Sequence, residues 1–343
     1  MAVGLFLQLH CYSKVTMSQL NTFDFVDLYL TRDCLPDGTK VDRAFFKGLK
    51  GSEHILTPVP DVLLPELQIL RNTCKATRLH EKTPEFFLNQ AGVKYRVRAE
   101  KNIWNQERYT LRKLALNVKP LEGIGFTPEV NHMLMRPDLK GLVLIAGETG
   151  AGKTSTAAAL MYSRLLKHGG FAVAIEDPPE INMHGPHGNG WCEQVPASRF
   201  TGGYKEHLIG SLRDNPDMIL LGEVRDEATA NEVVNASCNG HFILSTIHAD
   251  SIQTAVERIS GLAGTGSGLG VGPTNSKLAM GLKAVIWQSL ERRTDGSGYQ
   301  FTWQSLNLVG DENNGVRARI REGKFAHLAQ DIDQQANRMK RVA

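Results

Sequence analysis

The sequence predicts an α/β protein in two parts, a small α+β domain followed by a larger domain built on a parallel sheet. Three observations point there. Before about residue 120, short alternating apolar segments mix with helical stretches. After about residue 135, apolar runs and amphipathic segments alternate, the pattern of a parallel sheet flanked by helices. "GLVLIAG", residues 141–147, is a continuous apolar run, as a strand buried on both faces requires. A length of 343 residues accommodates two or three domains, and 41% hydrophobic residues suffice for a large core. The expected division is a flexible N-terminus over 1–18, the small domain over 19–116, a linker over 117–134 and the larger domain over 135–343.

Each element follows from its local pattern. The opening "MAVGLFLQLHCY" lacks a basic n-region and a small-residue cleavage site, so it reads as a lead-in or a first strand rather than a signal peptide. Residues 23–30 read as a strand, and 61–74 as a helix interrupted by Pro65. Residues 93–100 and 107–116 alternate apolar and polar as half-buried strands do. "NVKPLEGIGFTP" carries the proline and glycine breakers of a linker. Residues 153–167 form a helix with Ala157, Leu160, Met161 and Leu165 on one face, ended by Gly169 and Gly170. "FAVAIE", "MILLGE" and "HFILSTIH" are the next strands, with helices over 204–213 and 227–237 between them. The glycine-rich 261–273 reads as flexible, 277–291 as helical, "YQFTWQSL" as extended, and the tail beyond about 323 as a polar helix.

Composition excludes several classes. A net charge of +3 and the absence of any block of like charges argue against direct nucleic-acid binding. The apolar runs are too short to span a bilayer. The five cysteines are scattered, odd in number and without a C-x-x-C, which favours reduced thiols in a cytoplasmic protein.

One motif carries chemistry by itself. Gly147-Glu148-Thr149-Gly150-Ala151-Gly152-Lys153-Thr154 fits G-x-x-x-x-G-K-[ST], with Ser155 directly after it. Such a loop curls backbone N–H groups around phosphates, its lysine reaches the β- and γ-oxygens, and its threonine hydroxyl meets Mg²⁺. The following helix adds its positive end. A later strand should close with an acidic metal partner, and "MILLGEVRD" offers Glu223. Gly222 stands where many such proteins carry an aspartate, so Thr154 takes more of the direct metal contact and Glu223 acts through water. "IEDPPEI", residues 175–181, sets Glu176, Asp177 and Glu180 around two prolines, at the end of a strand expected beside the phosphate loop. His184, His187 and Cys192 could hold zinc, but the spacing matches no known set and a glycine- and histidine-rich loop is the better reading.

Four blocks in this order, "GETGAGKT", "IEDPPEI", "GEVRD" and "NGHFILSTIHAD", resemble the secretion ATPase superfamily of type II secretion, type IV pili and type IV secretion. "LKAVIWQSLERRTDGSGY" is similar to the family's next helix and strand. The resemblance implies an N-terminal PAS-like domain and a C-terminal RecA-like P-loop domain, assembled as a homo-hexamer with ATP between the two domains. It implies Glu180 as the general base, with Glu176 as the alternative, and Asp177 shaping the box. It implies His248 as the contact to the γ-phosphate, His241 as its partner, and Arg225 in support. Arg108 and Arg112 would reach the nucleotide from the N-terminal domain, with Arg96 and Arg98 as alternatives. The implied partners are inner-membrane platform or secretion-channel proteins, bound peripherally at the inner membrane. The four-cysteine metal insertion of many type II assembly ATPases is absent, as is a close match to the C-terminal signature of pilus retraction ATPases, which favours a type IV secretion or conjugative-transfer motor over pilus retraction or assembly. Rivals are a RecA-like nucleic-acid translocase and a non-hydrolysing nucleotide-gated scaffold.

Overall fold

The computed structural model describes residues 18–342 except 36, 116–117, 199–201, 269 and 295–296; the expected flexible N-terminus falls almost wholly outside them. The chain divides into two units between Leu114 and Ala115.

The first unit contains β1 (Asp27–Cys34), β2 (Lys40–Lys47), β3 (Leu56–Pro58), α1 (Leu64–Glu81), β4 (Glu85–Gln90), β5 (Val93–Lys101) and β6 (Glu107–Lys113). They form one antiparallel sheet in the order β3-β2-β1-β6-β5-β4. Period-two alternation puts Leu28, Leu30, Tyr95, Val97, Tyr109 and Leu111 in a core with Leu67, Leu70 and Cys74 of α1. The same alternation leaves Arg96, Arg98, Arg108 and Arg112 on the other face. Pro65 does not interrupt the helix. It occupies the first turn of α1, where a missing N–H costs no hydrogen bond. The first strand begins at Asp27 rather than 23, because the preceding segment folds over so that Phe25 stacks on Phe46, ring centroids 4.6 Å apart.

The second unit contains α2 (Pro128–Leu134), β7 (Gly141–Gly147), α3 (Lys153–His168), β8 (Gly170–Glu176), β9 (Gly185–His187), β10 (Gly190–Pro196), α4 (Gly203–Arg213), β11 (Met218–Leu221), α5 (Glu227–Cys238) and β12 (Phe242–His248). It continues with α6 (Ile252–Ser267), α7 (Val271–Gly281), β13 (Leu282–Arg292), β14 (Tyr299–Asn307), α8 (Asn314–Arg321) and α9 (Leu328–Val342). The sheet order is β14-β13-β7-β12-β11-β8-β10-β9, parallel from β13 through β10 with an antiparallel strand at each edge. Every residue of β7 is buried. Leu142, Leu144 and Ala146 face one core, with Val233 of α5 and Ile259 of α6. Val143 and Ile145 face a second, with Leu160 and Met161 of α3.

Four sequence readings change here. The expected linker 117–134 is largely packed structure: Leu121, Phe126, Val130 and Leu134 join the core under α3, and the Leu121 N–H donates to Ser163 Oγ at 2.8 Å. The expected flexible stretch 261–273 is mostly the end of α6 and the start of α7. Its glycines serve close packing, since a Cβ on Gly266 would sit 2.1 Å from the Glu227 carbonyl oxygen. The expected helix over 277–291 ends at Gly281 and becomes β13, which pairs with β7. The expected loop around His184 and His187 is the hairpin of β9 and β10.

Candidate functional site

In a parallel sheet the carboxyl ends of the strands share one edge, and ligands bind there. At that edge β7 turns into α3 through the glycine-rich loop. Gly150 (φ +84°) and Gly152 (φ +81°) take left-handed backbone that a side chain would strain. The Lys153 ammonium donates to the carbonyls of Gly147 at 2.9 Å and Glu148 at 2.8 Å. Burial pulls its pKa down, while Glu223 and Glu148 push it back up, so Glu223 lies within electrostatic reach of Lys153. Thr154 and Ser155 follow in the first turn of α3, with Thr154 half-buried and Ser155 exposed. Glu148 and Thr149 are exposed on the loop, and Ala151 is buried beneath it.

Two strands away, β11 delivers Gly222 and Glu223. A side chain on Gly222 would approach the Tyr204 hydroxyl at 3.0 Å and the Ile175 carbonyl oxygen at 3.3 Å, which accounts for a glycine at this position. Glu223 is held by Arg225, whose Nε donates to it at 2.7 Å. Between β7 and β11 lies β12, which ends at His248, directly opposite Gly147. Its Nδ1 is buried and has no hydrogen-bond partner among the described residues. A buried polar atom left unpaired is costly, so a ligand that pairs it is favoured. His241 is not its partner. It precedes β12 at the opposite edge, where its carbonyl accepts from the Gly141 N–H at 2.9 Å. That is roughly 23 Å from His248 along the strand.

The acidic box does not end a strand beside the phosphate loop. β8 is separated from β7 by β11 and β12. The chain instead returns after its prolines: Ile181 bridges to Ala115, the Ala115 N–H donates to the Glu180 carbonyl at 3.2 Å, and Ile181 lines a cleft with Ala151, Gly152 and Ser155. The two glutamates separate on this return. Glu176 is 4% exposed and accepts from Gln194 Nε2 at 2.6 Å. Burial pushes its carboxyl up to about 7, against the Gln194 hydrogen bond, and the Glu180 charge adds to the rise. Glu180 is exposed, and among the described residues its carboxylate has no hydrogen-bond or ionic partner. The Asp177 N–H donates to the Tyr204 hydroxyl at 3.0 Å.

In the first unit, Arg112 grips buried Asp27 through Nε at 2.7 Å and Nη2 at 2.9 Å. Arg98 and Arg108 both pair with Glu100. Arg96 stands opposite Arg112 across the strands and has no carboxylate partner among the described residues. The zinc reading fails. Cys192 is fully buried beside Met161, His187 Nε2 lies 2.7 Å from the Met183 carbonyl, and no group of three or more ligating residues forms among the described residues.

Sequence reasoning missed Gln288. Its Nε2 donates to the Ala151 carbonyl at 2.6 Å, and its buried Oε1 is unpaired among the described residues. A polar residue inside the apolar "VIWQSL" was the available signal. Gln288 also borders the cleft of about 320 Å³ beside the loop, with Val118, Ile124, Ile181, Leu290 and Phe301.

A family model described as type II/IV secretion system protein matches residues 84–333. The type II secretion system protein E of Klebsiella pneumoniae is 36% identical over 193 residues, covering 54% of this chain and 35% of that protein. The type IV pilus retractation ATPase PilT of Pseudomonas aeruginosa is 31% identical over 239 residues, covering 66% of this chain and 63% of that protein. The chain spans about half or less of the length of most of these curated relatives. Among solved structures, the pilus retraction motor PilT with bound ADP superposes with a TM-score of 0.70 at 21% identity, over 94% of this chain and 91% of that one. The Legionella pneumophila ATPase DotB superposes with a TM-score of 0.67 at 18% identity, over 90% and 84%. At these identities the structural likeness is one of fold.

Proposed function

The chain belongs to the type II/IV secretion system protein family, and on that premise we propose that it is an ATP-hydrolysing motor whose second unit is RecA-like and whose first unit is PAS-like. The observation that carries this reading is the meeting of Lys153, His248 and Glu223 at one edge of three neighbouring strands. The residues fit a nucleoside triphosphate. The loop backbone cradles phosphate, Lys153 exchanges its two carbonyls for phosphate oxygens, and His248 Nδ1 is unpaired among the described residues. The apolar walls of the adjoining cleft suit the base. A Mg²⁺ ion held by Thr154 and, through water, by Glu223 would neutralise charge on the phosphates.

Glu180 is the base we assign, since among the described residues its carboxylate is free, while Glu176 is buried, paired with Gln194 and pushed up to about 7. A carboxylate there orients and deprotonates the attacking water. Arg96 is the arginine readiest to meet developing charge, and Arg112 would first have to leave Asp27. We further propose a homo-hexamer in the cytoplasm, peripheral at the inner membrane and working on platform or channel proteins of a type IV secretion or conjugative machine. Pilus retraction or assembly is the alternative, supported by the PilT likeness.

The test is ATP turnover of the assembled protein. Lys153→Ala loses nucleotide binding. Glu180→Gln keeps binding and loses turnover by roughly 10²- to 10⁴-fold, the usual worth of a general base. Unchanged turnover in Glu180→Gln would remove the base assignment, and no turnover in wild type would remove the motor.

A further inference from the structure

At the edge of the second unit's sheet opposite the phosphate loop lies a cavity of about 670 Å³. It sits where β7, β11 and β12 begin and α3 ends, and Lys140, Arg164, His168, Asp217, His241 and Phe242 border it. Arg164 is 4% exposed. Its Nη1 donates to the carbonyls of Leu134 at 2.7 Å and Arg136 at 2.9 Å, and the guanidinium lies 4.3 Å from the Phe242 ring centroid. Its Nε is buried without a partner, and Nη2 makes no hydrogen bond among the described residues.

Nε and Nη2 together form the side-on fork of a guanidinium, which fits two oxygens of a carboxylate or phosphate. At three other arginines the fork is filled: Arg32 holds Asp42, Arg112 holds Asp27 and Arg136 holds Asp138. Asp138 also acts on the Arg164 charge, but Arg136 already grips both its oxygens. The one carboxylate bordering the cavity among the described residues, Asp217, accepts from the Phe171 N–H at 2.8 Å. Lys140 is exposed and has no ion pair among the described residues. The cavity is therefore bordered by an arginine whose Nε and Nη2 are unpaired among the described residues, by the Lys140 ammonium, by His241 and by His168, whose Nε2 lies 2.9 Å from the Met135 carbonyl, against one carboxylate.

We propose that this cavity binds a phosphate group, free or carried by a small phosphorylated ligand. The placement gives the site a route to the nucleotide. Arg164 and Lys153 share α3, roughly 16 Å apart along its axis. His241 and His248 flank the two ends of β12. An occupant would thus hold the far ends of the two elements that carry Lys153 and His248.

The test is equilibrium dialysis of radiolabelled inorganic phosphate against Lys153→Ala protein, so that the phosphate loop is disabled. Saturable binding is expected to remain. Adding Lys140→Ala should weaken it roughly tenfold, the worth of one charge-assisted contact. Adding Arg164→Lys should abolish it, while the lysine keeps a donor for the Leu134 and Arg136 carbonyls and circular dichroism confirms the fold. Displacement by a nucleoside monophosphate would identify a soluble ester as the source, and displacement by phosphatidylglycerol vesicles a lipid headgroup; each upholds the site. Absence of saturable binding, or affinity unchanged by both added substitutions, would overturn it.

Discussion

The most informative residues are the two glutamates that the sequence left as alternatives. Glu176 opens the acidic box and Glu180 closes it; the resemblance favours Glu180 by position, while residue type alone does not separate them. Burial does. The Glu176 carboxyl sits among β8, β10 and Gln194 and rises from an ordinary 4.5 to about 7, chiefly through desolvation. An acid raised in the folded state holds a proton that the unfolded chain has released between pH 4.5 and 7. Stability therefore falls as pH rises through that window and is level above it. Glu176→Gln removes this loss and keeps an acceptor for Gln194 Nε2. Denaturant midpoints should show the variant and wild type alike below pH 4.5, with the variant more stable at pH 8 by up to about 3 kcal/mol. Turnover in Glu176→Gln should survive where Glu180→Gln abolishes it; equal loss in both would make the buried carboxyl a participant. Other residues follow the same logic. The phosphate-loop residues are legible because their chemistry needs those types at that spacing. His241 was misread because the resemblance paired it with His248, although the two stand at opposite ends of one predicted strand, seven residues apart. Gln288 was missed because its role comes from a strand far away in sequence, laid against the loop by the sheet order.

At the level of elements, the buried strands and the helices between them were legible from periodicity, and the errors cluster around glycine. Residues 261–273 carry a composition shared by flexible linkers and tightly packed helices, and only the neighbour decides between them. In the fold, α6 passes so close to the start of α5 that Gly266 has no room for a methyl group: its Cβ would meet the Glu227 carbonyl carbon at 2.6 Å and oxygen at 2.1 Å. Both partners are backbone, so the contact cannot relax by rotating a side chain. Gly266→Ala should cost about 1–3 kcal/mol, the range for overpacking, even though alanine is the better helix former. Gly261→Ala, in the same helix with nothing within 4 Å, should be neutral or slightly stabilising. Thermal unfolding of the two variants checks this; if both were tolerated, the stretch would be as loose as its composition suggests. β13 was misread for a related reason. Val285, Ile286 and Trp287 fit either period, and only pairing with β7 settles the strand.

At the level of the whole molecule, assembly is where charge decides. One face of the first unit's sheet presents Arg96, Arg98, Arg108 and Arg112, against which stand Asp27, Glu85 and Glu100. This leaves a surplus of positive charge on a protein whose net charge is only +3. In the proposed ring a triphosphate would bring several negative charges to the second unit, and a basic face would be drawn to them. If the protein works as a ring, nucleotide should therefore promote assembly. Size-exclusion chromatography with light scattering should show a shift towards six copies on adding a non-hydrolysable ATP analogue. The shift should weaken as salt shortens the Debye length, about 10 Å at 0.1 M and 3 Å at 1 M. Lys153→Ala should show no nucleotide-dependent shift, because the phosphates are no longer held. Arg96→Ala should bind the analogue yet assemble less, because it removes a cation from the basic face without breaking an ion pair within its own unit. A wild-type protein that stays monomeric with saturating analogue at low salt would reject the ring. A salt-insensitive hexamer would keep the ring but move its cohesion from this basic face to apolar contacts.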